Sequence, residues 1–252
     1  MSSTTPLTDA INALITYANE TTGKNDETLS DAVESLVNGY KGGISIDGII
    51  TGLEPSGDIT ITVSSFYPRF RERVFMRCAN ITSVFAPNLT NIRSQTFAEC
   101  SGITSISFPE LISAQGSQHF SRCSNLTNVY LPKMETFGDN FFQVCTNLEI
   151  LDLPSATSIN YVRFLYGCSK LKTLILRYPN NVVPISNDAL TSTPFASDGT
   201  GGTIYVPQAL IPSYQSATNW STILESENNQ ILPIEGSIYE TQYANGTPIP
   251  TT

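Results

Sequence analysis

The residues in this sequence with the clearest chemical potential are five cysteines and one histidine. His119 lies four residues before Cys123, and an imidazole beside a thiol is the arrangement that activates a cysteine nucleophile. The cysteines are also candidates for disulfide bonds or for metal binding. Their spacing is decisive, because they recur at intervals of 22, 23, 22 and 23 residues. They are Cys78, Cys100, Cys123, Cys145 and Cys168.

The residues around each cysteine repeat with the same period. In the third unit, an aromatic residue, Phe120, lies three positions before the cysteine, and Leu126, Val129 and Leu131 lie three, six and eight positions after it. A proline follows the last apolar position in four of the five units, as Pro132 does here. A period of 20–29 residues with this apolar spacing is typical of a leucine-rich-repeat-type solenoid, in which each unit forms one coil.

The repeat also predicts the chemistry of the cysteines. Equivalent positions in adjacent coils are about 4.8 Å apart, farther than the Cβ separation of about 3.8 Å that a disulfide prefers. We therefore expect a ladder of five free, buried and unreactive thiols, with Cys123 a member of this ladder and not a partner of His119.

The repeat array divides the chain into five predicted parts. Together they predict an α/β repeat solenoid, a leucine-rich-repeat-like right-handed coil stack of about five 22–23-residue repeats with one short parallel strand each. A helical pair precedes the array, and a capping segment anchored by Trp220 follows it. The parts are a helical pair for attachment or oligomerisation (1–43), a linker with an edge strand (44–65), the repeats (66–177), the C-terminal cap (178–235) and a loosely ordered tail (236–252).

Composition and charge exclude several partner classes. The 252 residues carry 13 basic and 22 acidic side chains, a net charge of −9, which disfavours nucleic acid as a partner. No apolar run approaches the roughly 20 residues of a membrane-spanning helix, and the first ten residues do not resemble a secretory signal. Clustered arginines are either an anion-binding patch or an ordinary solvated surface. They are Arg69, Arg71, Arg73 and Arg77.

No catalytic, cofactor-binding or metal-binding residues are predicted, because the chain has a single histidine, no Cys-x-x-Cys pair and no phosphate-binding loop. The outward strand positions, five and seven residues after each cysteine, instead form a candidate ligand face. Its apolar members predict a contact surface, unless caps or neighbouring loops cover them. The candidates are Ser83, Phe85, Ser105, Ser107, Asn128, Tyr130, Ile150, Asp152, Thr173 and Ile175.

These repeats resemble the BspA-like leucine-rich repeats of bacteria, protozoa and phages. TFAECSGITSISFP at residues 96–109 and CSNLTNVYLP at 123–132 carry the resemblance, and residues 204–221 resemble the closing segment that often follows such repeats. The resemblance implies a non-enzymatic adhesion or interaction module without a cofactor, whose partner is a host-surface protein or glycan.

The N-terminal segment carries a second, shorter resemblance. NDETLSDAVESLVNGYKGG at residues 25–43 is similar to the helical lead-in of tail-associated structural proteins from phages of gut Gram-positive bacteria. This similarity implies a receptor-binding phage tail protein, located in the virion and joined through residues 1–43 to other virion proteins or to further copies of itself. The alternative is a bacterial cell-surface adhesion protein.

Overall fold

The protein is a parallel β-solenoid of about seven turns. The structure, a computed structural model, describes residues 16, 57–60 and 72–249. Eight strands share one face, namely β1 (Gly57–Thr60), β2 (Ile81–Phe85), β4 (Ser105–Ser107), β6 (Asn128–Tyr130), β7 (Ile150–Leu153), β8 (Thr173–Leu176), β9 (Thr203–Val206) and β10 (Gln230–Pro233). Two more, β3 (Asn91–Arg93) and β5 (Ser113–Gln115), pair separately.

The register of the strands stacks equivalent repeat positions directly on one another. Val84, Ile106 and Val129 are aligned across β2, β4 and β6, and Leu151 and Leu174 are aligned across β7 and β8. The common face consists of two four-stranded parallel sheets, one in the order β1-β2-β4-β6 and one in the order β7-β8-β9-β10. Each coil therefore buries its apolar residues against the same residues of the next coil.

Phenylalanines stack along the axis of the array. The ring of Phe97 lies 5.1 Å from that of Phe75 and 5.3 Å from that of Phe120, with interplanar angles of 7° and 6°. Phe142 continues the stack 5.8 Å beyond Phe120, and Leu165 occupies the equivalent position in the fifth repeat. This stack buries large apolar groups in every coil and links the stability of each coil to that of its neighbours.

All five cysteines are buried and none forms a disulfide. The thiol of Cys123 donates a hydrogen bond to the carbonyl of Phe97 at 3.2 Å, and Cys145 donates to Phe120 at 3.2 Å, one coil back in each case. Burial raises the pKa of the Cys123 thiol to about 12, which keeps it in the unreactive protonated form.

We expect native protein to resist thiol labelling. Over minutes at pH 7.5, a small maleimide should modify fewer than about one thiol per chain, because burial limits both access and thiolate formation. The same reagent in denaturant should modify all five, as counted by intact mass. Rapid modification of several cysteines without denaturant would contradict the inert ladder.

Each cysteine-containing coil has at least two residues in the left-handed backbone conformation. The residues five and one before each cysteine have positive φ, as at Gln95 (58°) and Glu99 (62°). These residues also hydrogen-bond to the next coil, where Gln95 N donates to Ser117 O at 2.9 Å and Glu99 N to Ser121 O at 2.7 Å. Inter-coil bonds thus offset a conformation that costs about 1–2 kcal/mol per non-glycine residue.

The C-terminal cap anchors the last coils through two aromatic residues. Trp220 is buried and its indole N–H donates to Val183 O at 2.7 Å, while Val183 N donates to the Tyr214 hydroxyl at 3.0 Å. Tyr214 lies in helix α1 (Ile211–Ser216) and Trp220 begins helix α2 (Trp220–Leu224). This places the only tryptophan in the core of the cap.

The array continues beyond the predicted five repeats into the coils of β9 and β10, which lack the cysteine and therefore escape a pattern defined by it. The predicted helical pair at 1–43 lies outside the described residues, Thr16 excepted.

Candidate functional site

The structure divides the ten predicted ligand-face residues into two halves. On β2, β4 and β6 the predicted residues form two parallel rows across adjacent strands. Phe85 is 42% exposed, which is unusual for a phenylalanine, and Asn128 is also exposed. We call this half the open face, and it consists of Ser83, Phe85, Ser105, Ser107, Asn128 and Tyr130.

The other half, on β7 and β8, is largely covered. Ile150 and Thr173 are half-buried, whereas Asp152 is only 4% exposed and Ile175 is fully buried. Of the two alternatives stated for the outward positions, exposed or covered, the covered one applies to Asp152 and Ile175. Both occupy outward strand positions, but the end of the chain lies across this half of the face.

The covering segment is residues 238–249, which we call the strap. It begins with a 3-10 turn (Ile238–Glu240) and closes on itself where Gln242 and Pro248 form an antiparallel bridge. The ring of Tyr239 lies 4.9 Å from that of Tyr205, and Ala244 N donates to Asp152 Oδ2 at 3.0 Å. The expectation of a loosely ordered tail is thus wrong for the described residues 236–249, because the strap packs on the strand face.

Arg177 joins the strap to the solenoid. Its Nε donates to Asp152 Oδ1 at 2.8 Å and its Nη2 to Asp152 Oδ2 at 2.7 Å, an ion pair whose side chains are 11% and 3% exposed. The same guanidinium donates to the carbonyls of Tyr239 and Gln242 and lies 5.5 Å from the centre of the Tyr243 ring. One buried side chain therefore fixes both a strand and the strap.

Sequence reasoning missed Arg177 as the residue that anchors the strap. It interrupts the repeat where four earlier units carry proline, and Asp152 lies at an outward position of the preceding coil. The available signal was an arginine in place of the proline of the repeat, one coil after an aspartate at an outward strand position. Its strap partners lie 62 and 65 residues downstream, and no periodicity indicates them.

The open face ends at a gap between β6 and β7, the facing edges of the two sheets. Within residues 72–249 these strands form no ladder. A cavity of about 290 Å³ fills the gap, and Ala244 and Asn245 of the strap close one side of it. Its remaining lining residues are Thr127, Asn128, Val129, Asn147, Glu149 and Ile150.

His119 is buried in the repeat core. Its side chain hydrogen-bonds to a backbone carbonyl and not to a thiol. Its Nε2 lies 3.1 Å from Gln115 O, its ring packs 5.0 Å from that of Phe141, and Nδ1 has no hydrogen-bond partner among the described residues. Gly138 makes room for the ring, since a Cβ there would lie 3.1 Å from His119 Cε1 and 2.0 Å from a backbone oxygen. Burial lowers the pKa of His119 to about 4, so it is neutral near pH 7.

This buried neutral histidine predicts a loss of stability in acid. The unfolded chain takes up a proton near pH 6.5, while the folded chain does so only near pH 4; the stability present above pH 6.5 is therefore lost as the pH falls. Between pH 7.5 and 4.5 we expect His119 to lower the free energy of unfolding by about 2–3 kcal/mol. Urea unfolding at both pH values measures this loss.

The control for this prediction is His119→Phe, because Phe141 and Phe164 occupy the equivalent position in the next two repeats. The variant retains the carboxylates that also titrate in acid, so the difference between the two proteins isolates the histidine. Equal losses of stability in the two proteins would contradict the prediction.

Two arginines of the predicted cluster are engaged with neighbouring side chains. Arg77 pairs with Glu99 at 3.1 Å, and Arg73 donates to the side-chain oxygen of Gln95. Arg69 and Arg71, the other members of the predicted cluster, lie outside the described residues. Among the described residues, no group of three or more His, Cys, Asp or Glu side chains could hold a metal ion, and no helix is long and apolar enough to cross a membrane.

The repeat geometry agrees with a known family. A family model described as a BspA type leucine rich repeat region, in six copies, matches residues 69–195, half of the chain. The chain belongs to the BspA-type leucine-rich repeat family. Proteins of this BspA-type family are typically non-enzymatic binding proteins, and no catalytic family is indicated.

Three solved structures are similar to this BspA-type chain at low identity. A leucine-rich repeat protein from Bacteroides ovatus is 19% identical over 70% of this chain (TM-score 0.49), and a leucine-rich cell surface protein from Faecalibacterium prausnitzii is 19% identical over 71% (TM-score 0.44). A T. pallidum leucine-rich repeat protein is 16% identical over 67% of this chain and 82% of its own (TM-score 0.41). The chain spans 42% and 48% of the first two proteins. No curated protein matches it in sequence.

Proposed function

We propose that this chain is a non-enzymatic adhesion module that binds a surface protein or glycan through its open face. The observation that carries the proposal is the contrast between the two halves of the strand face. The strap covers Asp152 and Ile175 on β7 and β8 and is bound by Arg177.

On β2, β4 and β6, Phe85 and Asn128 are exposed, and the strap reaches this half at Tyr130, whose ring lies 5.5 Å from that of Tyr243. Aromatic side chains are enriched in protein interfaces, so the exposed Phe85, aligned with Ser107 and Tyr130, supports a contact surface here.

A bacterial cell surface is the setting that the family favours, because its members are typically surface or secreted adhesion proteins. A second candidate is the same module carried on a phage tail through residues 1–43. The similarity of residues 25–43 to phage tail lead-in segments supports this candidate. An oligomeric full chain beside a monomeric chain that starts at Ile44 would favour the virion; two monomers would favour the cell surface.

The proposal predicts a specific loss of binding on change of Phe85. We expect Phe85→Ala to weaken the binding of fluorescently labelled chain to intact bacterial or epithelial cells about tenfold, since buried aromatic anchors dominate interface energies. The matched control is Ile112→Ala. Ile112 is 43% exposed, nearly the same as Phe85, but lies just before β5, away from the strand face. Equal effects of the two changes would contradict the assignment of the open face.

A further inference from the structure

We propose that the gap between β6 and β7 is a binding site for a neutral sugar residue. This inference rests on the proposed function, since it names the ligand class for one end of the open face. The cavity in the gap is lined by Asn128 of the open face and by the strap residue Asn245. A ligand there would contact the open face and the strap together.

Among residues 72–249, backbone groups at the gap lack a hydrogen bond that joins the strands in neighbouring coils. In neighbouring coils, Asn128 N donates to Thr104 O at 3.0 Å and Thr173 N donates to Glu149 O at 3.1 Å. The equivalent bond from Ile150 N to Thr127 O is not formed within the described residues. The facing edges therefore offer donors and acceptors that the ladder satisfies in the other coils.

The side chains that line the cavity match the hydrogen-bonding chemistry of a sugar. The amides of Asn128, Asn147 and Asn245 both donate and accept hydrogen bonds, as sugar hydroxyls do. The Thr127 hydroxyl donates to Thr104 O at 3.1 Å and can accept a further hydrogen bond. The Asn147 amide is already oriented, since its Nδ2 donates to Asn125 Oδ1 at 3.1 Å and Lys170 Nζ donates to its Oδ1 at 2.8 Å. Ile150 supplies an apolar wall for the C–H face of a sugar ring.

The charge of the lining selects a neutral ligand. Glu149 is the one ionisable side chain that lines the cavity, and its carboxylate accepts hydrogen bonds from hydroxyls but repels anions. No lysine or arginine of the described residues lines the cavity, and the whole chain has a net charge of −9. Sialylated or sulfated sugars are therefore disfavoured.

The width of the gap excludes a peptide strand. Cα atoms of β6 and β7 approach within 8 Å of one another. A strand inserted between them would need about 9–10 Å, twice the normal strand spacing. A cavity of about 290 Å³ is also small beside the pockets of roughly 300–1,000 Å³ that enclose larger ligands, which points to a single sugar unit.

Saturation-transfer NMR on the full chain tests the proposal. The probes are the methyl glycosides of glucose, galactose, mannose and N-acetylglucosamine, with sialyllactose as the anionic comparison. We expect ring-proton signals from at least one neutral glycoside. Asn128→Ala and Glu149→Ala should each weaken its binding about tenfold. Asn160→Ala removes an exposed asparagine that belongs neither to the cavity lining nor to the open face, and it should leave binding unchanged.

Binding of sialyllactose alone, no binding of any neutral glycoside, or binding that neither gap variant alters would overturn the proposal. The unfolding curve of each variant, followed by Trp220 fluorescence, shows that it is folded, and both changed side chains are exposed. If the wild-type chain binds cells through Phe85 but binds no glycoside, this inference fails and the adhesion function stands. If the wild-type chain binds no cells, the adhesion function itself fails.

Discussion

Replacement of Arg177 by methionine is expected to lower the free energy of unfolding by about 3–5 kcal/mol and to release the strap. The change leaves the Asp152 carboxylate buried without its cation, and such an uncompensated charge is strongly destabilising. It also removes the guanidinium that donates to the strap carbonyls of Tyr239 and Gln242. Urea unfolding measures the stability, and chymotrypsin cleavage at Tyr239 and Tyr243 reports release of the strap.

The double variant Asp152→Leu/Arg177→Met separates loss of charge pairing from loss of packing. Replacement of a buried ion pair by apolar residues is often close to neutral, so most of the stability should return. The strap should remain sensitive to chymotrypsin, because its bonds to Arg177 are still missing. A cost below about 1 kcal/mol for Arg177→Met alone would contradict the role given to this pair.

Phe120→Ala is the second change for which we expect a large effect, about 3–5 kcal/mol of lost stability. Phe120 is fully buried in the middle of the phenylalanine stack, and its ring also lies 5.4 Å from that of Phe141 and 6.0 Å from that of Phe108. The cavity left by the missing ring would therefore lie next to the preceding coil and the following coil. Since each coil is stabilised by its neighbours, the loss should appear in the unfolding of the whole array.

Phe120→Leu is the matched control, because Leu165 fills the same position in the fifth repeat. Leucine retains most of the apolar volume and should cost less than half as much as alanine. Chemical denaturation followed by circular dichroism measures both variants. Equal and small costs for the two would show that the stack contributes little to stability.

The sequence predicted the features that repeat, because periodicity makes them visible in a single chain. The five cysteines and their apolar neighbours identified the inward positions, and the family match confirms the BspA-type leucine-rich repeat. The strand predicted at 203–206 corresponds to β9 (Thr203–Val206). Burial at these positions follows from the local pattern of the coil, so sequence alone was sufficient.

Features that depend on contacts without a period could not be predicted in this way. Ile175 has the outward position of its repeat but is buried, because the strap lies across this half of the face. Ala244 meets Asp152 across 92 residues of sequence, a contact that no local pattern encodes. The gap between β6 and β7 could not be predicted either. The residues of both strands fit the repeat, but the two strands do not pair with each other.

The most direct test of the binding function is a blocking substitution at the centre of the open face. Ser107 lies between Phe85 and Tyr130 in the strand register, so Ser107→Arg places a long charged side chain over the predicted contact. Ser213→Arg introduces the same charge at an exposed position of α1. Binding to intact cells should fall at least tenfold for Ser107→Arg and stay unchanged for Ser213→Arg. Undiminished binding of a folded Ser107→Arg chain would contradict the account.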